Sequence, residues 1–283
     1  MVSFSPFNMI KTLSRSQFEE ACIEHTDHIY IGDKTVLCRI LTRYKMYVDV
    51  NDQNIAPHLL MDGYWESWIS LLFAKIIQPG MICLDIGANF GYYSLLMSGL
   101  AEDTGRTIAI EPNPHLVKFL SATQAVNGAS FELVETALSD RRGEAILSVN
   151  RHDYGGGTIK PNESAEGRTQ VKVPTISVDE LLEEKAVPKV DVIKMDVEGV
   201  EPLIFAGMQR TIRSNPQLQI IMEYTASNYD DATGFTEYLF NEFEVQHVRG
   251  VDDLVNLDPS STSELVNLKG HIDLYLRPKT IQK

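Results

Sequence analysis

Residues whose types and spacing suit ligand chemistry are concentrated in one stretch of the chain. The apolar run 81–84 is followed by Asp85-Ile86-Gly87-Ala88-Asn89-Phe90-Gly91 and then by a second apolar segment. Glycines let a backbone turn sharply and approach a ligand closely, and the first N–H groups of a helix are free to bind one. The stretch therefore predicts a strand, a tight turn and a helix start, which is where open α/β sheets bind ligands.

Glu111 indicates the class of ligand. It lies twenty residues beyond Gly91, at the end of the next predicted strand. An acidic side chain there can accept hydrogen bonds from both ribose hydroxyls of an adenosine. A dinucleotide site would need Gly-x-Gly-x-x-Gly, and the spacing of Gly87 and Gly91 does not match it. Asp85 would repel a pyrophosphate, but it suits the ammonium and sulfonium groups of S-adenosylmethionine.

Acidic residues also stand at the ends of other predicted strands. Four strands end in this way, at Asp85, Glu111, Asp196 and Glu223. Because parallel strands place their carboxyl ends on one edge of a sheet, we expect the four side chains to converge on the glycine turn.

Two regions with different patterns must position these residues. From residue 79 onward strands alternate with helices, which predicts an α/β catalytic domain over 79–283 with a mostly parallel sheet covered on both faces. Residues 1–78 lack this alternation and are predicted as an α+β extension that covers the cofactor or the acceptor. Its predicted elements are helices at 14–23 and 65–77 and a hairpin at 35–41 and 45–50. The strands predicted in the larger domain lie at 81–84, 107–110, 131–134, 144–149, 170–173, 190–195 and 218–222.

Local signals place further elements. Asn113-Pro114 is an N-cap followed by proline at the first helical position, and Ser177 with Glu180 forms a capping box. Residues 244–248 and 272–276 alternate as terminal strands and predict a hairpin at the sheet edge. The run Tyr154-Gly155-Gly156-Gly157-Thr158 predicts either a flexible connection or a lid over the site.

Composition excludes several classes of protein. A net charge of −14 and a pI of about 4.9 disfavour binding to nucleic acid. No apolar run is long enough to span a bilayer, and no signal peptide is evident. Three scattered cysteines argue against a disulfide framework and fit a reducing compartment. We therefore expect a cytoplasmic protein without membrane insertion.

Four motifs in this order resemble those of FkbM-type methyltransferases, and Gly63-Tyr64-Trp65-Glu66 is similar to that family's Gly-x-x-Glu element. The resemblance covers roughly residues 63–224. It implies a class I methyltransferase fold, which is Rossmann-like, with a seven-stranded sheet and an antiparallel edge hairpin. It also implies S-adenosylmethionine as donor. The motifs are Asp85-Ile86-Gly87-Ala88-Asn89-Phe90-Gly91-Tyr92-Tyr93-Ser94, Glu111-Pro112-Asn113-Pro114, Ala137-Leu138-Ser139-Asp140 and Lys194-Met195-Asp196-Val197-Glu198-Gly199-Val200-Glu201.

Carried over residue by residue, the resemblance predicts the cofactor contacts. Gly87, Asn89 and Gly91 would surround the methionine moiety, with Asp85 near its ammonium group. Glu111 would bind the ribose. Asp140 is either an acceptor for the adenine amino group or a turn residue. The full predicted cofactor set is Glu66, Asp85, Gly87, Asn89, Gly91, Tyr92, Ser94, Glu111, Pro112, Asn113, Leu138, Ser139, Asp140 and Asp196.

Transfer to an alcohol needs a general base, because the hydroxyl loses its proton as it attacks. Asp196, Glu198 and Glu223 are the predicted catalytic residues, in that order, and His152 is a weaker candidate. If the chain stays extended through residue 197, Asp196 and Glu198 would point the same way.

A divalent cation is an alternative occupant of the same carboxylates. Asp196, Glu198 and Glu201 offer the oxygen ligands that magnesium or calcium prefers. Acidic clusters at strand ends are commoner than metal sites, so no metal is the favoured prediction. Glu201 would instead serve the start of the following helix.

The predicted function is S-adenosylmethionine-dependent O-methylation of a sugar or another small molecule. The resemblance also leaves open N-methylation of a peptide or protein amide. A nicotinamide-dependent dehydrogenase and a non-catalytic adenosine-binding module are the more distant alternatives.

Overall fold

A computed structural model describes residues 7–128, 131–150, 153–159 and 168–279, and it contains ten α-helices in those ranges. Short 3₁₀ turns at Phe7–Thr12, Ala226–Asn228 and Pro259–Ser261 accompany them. The predicted N-cap Asn113 and the capping box of Ser177 with Glu180 are confirmed. The helices are α1 Arg15–His25, α2 Ala56–Met61, α3 Ser67–Ile76, α4 Tyr92–Ala101, α5 Pro114–Val126, α6 Val178–Glu184, α7 Glu201–Ala206, α8 Gln209–Ser214, α9 Ala232–Glu242 and α10 Thr262–Val266.

Fifteen strands within the described residues form three sheets. They are β1 His28–Gly32, β2 Thr35–Ile40, β3 Tyr44–Asp49, β4 Ile82–Ile86, β5 Arg106–Ile110, β6 Glu132–Val134, β7 Ala137–Leu138, β8 Gly143–Asn150, β9 Asp153–Thr158, β10 Arg168–Ile176, β11 Val192–Met195, β12 Gln219–Tyr224, β13 Phe243–Gly250, β14 Asp253–Leu257 and β15 Ile272–Pro278.

The largest sheet has the order β14-β13-β15-β12-β11-β4-β5-β6. Its strands from β12 to β6 run parallel, and β15, β13 and β14 extend it antiparallel. The α/β class is therefore confirmed. The predicted edge strands do pair with each other, as β13 and β15, but β14 lies outside them. It makes the sheet eight-stranded, one strand more than the resemblance implied.

Alternating side chains explain why this sheet is covered on both faces. Cys83 and Ala109 belong to the core under α3, α4 and α5, whereas Leu84 and Ile108 belong to the core under α6 to α9. A strand buried on both faces reads as a continuous apolar run, because successive residues point to opposite sides. No helix of the described ranges is both long and apolar enough to cross a bilayer.

The N-terminal elements pack into the first of these cores. Phe18, Leu59 and Phe73 are buried together with the α4 side chains. The predicted hairpin is confirmed as β2 and β3, to which β1 is added at the edge. A domain boundary at residue 78 stays a prediction, since both sides of it share one core.

A third, four-stranded sheet has the order β7-β10-β8-β9. The predicted strands at 144–149 and 170–173 pair here, as β8 and β10. The prediction of a flexible connection at 154–158 was wrong, whereas a lid over the site stays a prediction. These residues belong to β9, which pairs with β8 at the rim of the sheet.

Candidate active site

A cavity of about 490 Å³ opens at the carboxyl edge of the parallel strands. This volume lies within the range of small-molecule sites. Its lining combines the ends of β4, β5, β11 and β12 with residues from the N-terminal region and the small sheet. Three of the four predicted strand-end carboxylates line it, namely Glu111, Asp196 and Glu223, so the predicted convergence on one edge is observed.

The glycine turn after β4 forms one wall of the cavity. The N–H groups of Gly87 and Ala88 both donate to the Ile110 carbonyl at 3.0 Å. Gly87 has a φ of +80° and Asn89 a φ of +53°, so this turn uses left-handed conformations. A Cβ at Gly87 would collide with the backbone carbonyl of Asp196. Only glycine therefore allows the two strand ends to approach this closely.

Glu111 ties the turn to the next helix. Its carboxylate accepts the Asn89 N–H through Oε2 and the Asn113 N–H through Oε1, both at 2.9 Å. Burial raises the pKa of Glu111 to about 7, although the two N–H donors favour its charged form. Asn113 in turn caps α5 by accepting the His115 N–H at 3.0 Å. Pro112 lies between these residues and also lines the cavity.

Three buried polar atoms in this region have no hydrogen-bond partner among the described residues. They are Asn89 Oδ1, Asn113 Nδ2 and Asp85 Oδ1. Buried polar groups are almost always paired in folded proteins. The first two belong to residues that line the cavity, so they can pair with a ligand that has both hydrogen-bond donors and acceptors.

Asp85 lies beneath the turn and does not line the cavity. Its side chain is 0% exposed, and its Oδ2 accepts the Ser94 hydroxyl at 2.6 Å. Burial raises the pKa of Asp85, while the Lys194 charge and the Ser94 hydrogen bond lower it. Direct contact between Asp85 and a ligand ammonium group stays a prediction, and the structure gives Asp85 a supporting place.

Three other predicted cofactor residues also lie behind the cavity wall. Ser94 holds Asp85, and the Tyr92 hydroxyl bonds the Ser70 hydroxyl at 2.9 Å. Gly91 begins α4 with a φ of +95°, and a Cβ there would collide with the Leu120 side chain. Their observed role is to hold the turn and its helix in place.

Glu66 comes from the N-terminal region but joins the same site. It precedes α3 with a left-handed φ of +39°, and its Oε2 accepts the Tyr93 hydroxyl at 2.5 Å. Burial and the nearby Asp273 raise the pKa of Glu66 to about 7. Glu66 lines the cavity, and its contact with the cofactor stays a prediction.

The predicted base candidates form one group. Asp196, Glu198 and Glu223 each place a carboxylate oxygen within 4.8 Å of the other two. β11 ends at Met195 and a turn with Glu198 at a φ of +55° follows, so Asp196 and Glu198 do not belong to the strand itself. This tight turn nevertheless brings both side chains to the cavity.

Polar neighbours hold each member of this carboxylate group. Lys194 Nζ donates to Asp196 Oδ2 at 2.9 Å. Asn228 Nδ2 donates to Glu198 Oε2 at 3.2 Å, and the Thr225 hydroxyl donates to Glu223 Oε1 at 3.1 Å. Burial and Asp196 raise the pKa of Glu223. The group can accept protons and hydrogen bonds from a hydroxylated molecule.

Glu201 is separate from this group. It is the first residue of α7, is 3% exposed and does not line the cavity. Burial raises the pKa of Glu201 to about 8. The metal alternative named Glu201 as the third ligand, and among the described residues Glu223 takes that position instead.

The cavity also receives residues from β7. Leu138 lines it together with Thr136 and Ala137. Ser139 and Asp140 lie just outside, where the Ser139 hydroxyl donates to Asp140 Oδ1 at 3.2 Å. His152 lies outside the described residues.

Several cavity residues have no role in the sequence interpretation. His271 lines the cavity, and Trp68 lines it while donating to Asp273 Oδ2 at 3.0 Å. Arg15 lies against the Trp68 ring at 5.3 Å from its centroid. These residues belong to elements far apart in sequence. Lys194 begins the motif 194–201, and its position two residues before Asp196 was the signal that could have identified it as a partner of that carboxylate.

This arrangement is that of a class I methyltransferase: a mostly parallel sheet, a glycine turn after its central strand, an acid after the next one and a cavity across both. Residues 85–257 match the methyltransferase FkbM domain, which is more than half of the chain. The chain therefore belongs to the FkbM methyltransferase family and is an enzyme. The dehydrogenase and the non-catalytic module are not supported.

One curated relative matches part of the chain. The chain is 32% identical over 149 residues to the hexuronic acid methyltransferase AglP of Haloferax volcanii, which covers 53% of this chain and 59% of that protein. It therefore spans less than two thirds of this curated relative.

Solved structures similar to the chain have lower identities. The methyltransferase FkbM of Methylobacillus flagellatus has a TM-score of 0.44 and 14% identity, covering 77% of this chain and 52% of that one. The O-methyltransferase of Bacillus cereus in complex with SAH has a TM-score of 0.45 and 12% identity, covering 81% and 87%.

Proposed function

We propose that this methyltransferase uses S-adenosylmethionine to methylate a hydroxyl group of a sugar or a similar small molecule. The observation that carries the proposal is that one cavity is lined by two chemically distinct groups of residues. The glycine turn with Glu111 is the first group, and the carboxylates Asp196, Glu198 and Glu223 are the second.

The first group, the glycine turn with Glu111, suits the methyl donor. Glu111 keeps lone pairs for the two ribose hydroxyls after accepting its two backbone N–H groups. Asn89 and Asn113 offer the unpaired Oδ1 and Nδ2 atoms, and Gly87 lines the same cavity. Leu138 gives an apolar surface for the adenine. The net negative lining complements the positive charge of the donor.

The second group, the three carboxylates, suits proton removal from the acceptor. S-adenosylmethionine supplies an electrophilic methyl group with a good leaving group, so positioning provides most of the catalysis. Asp196 accepts the hydroxyl proton, since it is the candidate held by a charged donor. Glu198 and Glu223 orient neighbouring hydroxyls of the acceptor by accepting hydrogen bonds from them.

The acceptor class draws on two further observations. The name of the Haloferax volcanii relative assigns that protein a hexuronic acid, which is a sugar acceptor. Trp65 and Trp68 line the cavity, and tryptophan combines a large apolar surface with a hydrogen-bond donor. A small polyhydroxylated molecule fits this combination. The proposal requires no divalent metal, and a net charge of −14 disfavours a nucleic-acid acceptor.

Radiolabelled methyl transfer tests the proposal. The purified protein is incubated with labelled S-adenosylmethionine and with neutral sugars, a hexuronic acid or peptide amides, each with and without a chelator. We expect label on a sugar hydroxyl, with no effect of the chelator. Label on a peptide amide alone would replace O-methylation by N-methylation. No calorimetric binding of S-adenosylhomocysteine would overturn the choice of donor.

A matched pair of variants tests the base. Asp196→Asn keeps the side-chain size but cannot take up a proton, so turnover should fall by about 100-fold or more, as expected for loss of a general base. Binding of S-adenosylhomocysteine should change much less. Asp103→Asn makes the same change at an exposed position and should behave like the unmodified enzyme. Equal turnover of the two variants would eliminate Asp196 as the base.

A further inference from the structure

Lys194 is a buried cation that is joined to the site through Asp196. Within the part of the chain that the structure describes, it is the only lysine or arginine among the buried residues, at 8% exposed. It lies on β11, in register with Asp85 on β4. Its Nζ is 2.9 Å from Asp196 Oδ2 and 5.1 Å from the centroid of the Tyr93 ring.

Carboxylates from every neighbouring element face this one charge. Burial opposes the charged form of Lys194, yet the surrounding carboxylates raise its pKa above the ordinary value. Lys194 is therefore charged here. The groups are Glu66 before α3, Asp85 on β4, Glu111 after β5, Asp196 after β11, Glu223 on β12 and Asp273 on β15, with the Tyr93 hydroxyl on α4 joined to Glu66.

We propose that Lys194 is the positioning residue of methyl transfer, because it fixes Asp196 in its ionised form and in one orientation. This inference rests on the proposed function. Asp196 has its Oδ2 bound to Lys194, which leaves Oδ1 for the acceptor. Without the lysine, Asp196 would face Glu198 and Glu223 with no compensating charge, and like charges favour a shared proton.

The reaction defines what Lys194 must do. The acceptor oxygen forms a bond to the methyl carbon as the bond from carbon to sulfur breaks, and the sulfur keeps that electron pair. The hydroxyl proton moves to Asp196 Oδ1 and then leaves to solvent. A base that is already protonated cannot take part, so the fraction of active enzyme at a given pH depends on the charge next to Asp196.

Lys194 lies next to the support of the glycine turn as well as next to the proposed base. It faces Asp85 beneath the turn and also Asp196. The donor is itself positively charged and does not need Lys194 for attraction. Removal of the lysine charge should therefore affect turnover far more than donor binding.

Substitution of Lys194 tests the inference. Lys194→Met removes the charge and should lower kcat by about 100-fold, as expected when a general base is no longer held in its working state. The acidic limb of the kcat–pH profile should move to higher pH by about 1–3 units. KM for the acceptor should change little. Lys194→Arg keeps the charge and should restore the pH profile.

Lys194→Gln is the second variant for the case that Lys194→Met does not fold. It keeps a donor to Asp196 but lacks the charge, so the same movement of the acidic limb is expected. An unchanged limb in Lys194→Gln, or a loss confined to KM, would overturn the role of Lys194. Failure of the proposed function is distinguishable, since the unmodified enzyme would then transfer no methyl group or bind no S-adenosylhomocysteine.

Discussion

Gly87→Ala tests whether glycine is needed here because of its contact with Asp196 or only because of its left-handed backbone conformation. Gly87 has a φ of +80°, and its Cβ position is about 1 Å closer to the Asp196 carbonyl oxygen than the 3.0 Å that real Cβ atoms respect. The obstacle is backbone, so no side-chain rotation can relieve it. Either the glycine turn or the start of the 196–199 turn has to move.

The expected magnitude has two parts. A left-handed conformation costs a residue with a side chain about 1–2 kcal/mol, and overpacking in a close-packed region costs about 1–3 kcal/mol more. Gly87→Ala should therefore lose about 2–5 kcal/mol of unfolding free energy. A shift of about 1 Å at Asp196 would also lower turnover by about 100-fold, since misplacement of this size has that effect on positioned groups.

Gly128→Ala is the matched control. Gly128 has a φ of +79°, almost that of Gly87, but nothing lies within 4 Å of its Cβ position. It should lose only the conformational part, about 1–2 kcal/mol, and keep full turnover. Urea unfolding and kcat under saturating donor measure both quantities. Equal stability losses with unchanged kcat in Gly87→Ala would refute the contact between the two turns as the reason for glycine.

Two further predictions concern buried carboxyl groups. Glu111→Gln should weaken the binding of S-adenosylhomocysteine, measured by calorimetry, by about 100-fold, because hydrogen bonds to a charged acceptor contribute about 1.5–3 kcal/mol each. Glu144→Gln at an exposed site is the control. Unchanged affinity in Glu111→Gln would exclude Glu111 from the ribose site. Glu201 has its pKa raised from 4.5 to about 8, so its contribution to stability is present below about pH 4.5 and is lost as the pH rises through 8. Glu201→Gln should remove up to about 5 kcal/mol of that decline in urea titrations, and an unchanged slope against pH would show that Glu201 is not protonated in the fold.

The sequence alone was sufficient for the local elements and for the edge on which the site lies. The glycines after β4, the Asn113 N-cap and the apolar run of β11 act within a few residues, so their signals are readable in order. Acids at parallel strand ends must meet at one edge, whatever the packing of the helices. That rule correctly placed Glu111, Asp196 and Glu223 around one cavity.

Burial and convergence were decided by tertiary structure. Asp85 stands at a strand end like the others, but its register opposite Lys194 places it beneath the turn instead of in the cavity. The turn after Met195 lies against Gly87, and Asp196 and Glu198 reach the cavity from this turn and not from the strand. Such outcomes depend on contacts between strands that are about a hundred residues apart.

Tertiary structure also decided which residues join Asp196 and Glu198 in the carboxylate group. Sequence proximity suggested Glu201 as the neighbour of Asp196 and Glu198, whereas the adjacent strand supplies Glu223. Glu201 is withdrawn into the start of α7. The sequence thus determined which residue types could carry the chemistry and on which edge. Only the packed structure determined which of them share Lys194, because charges interact through distance in space and burial, which a linear pattern does not contain.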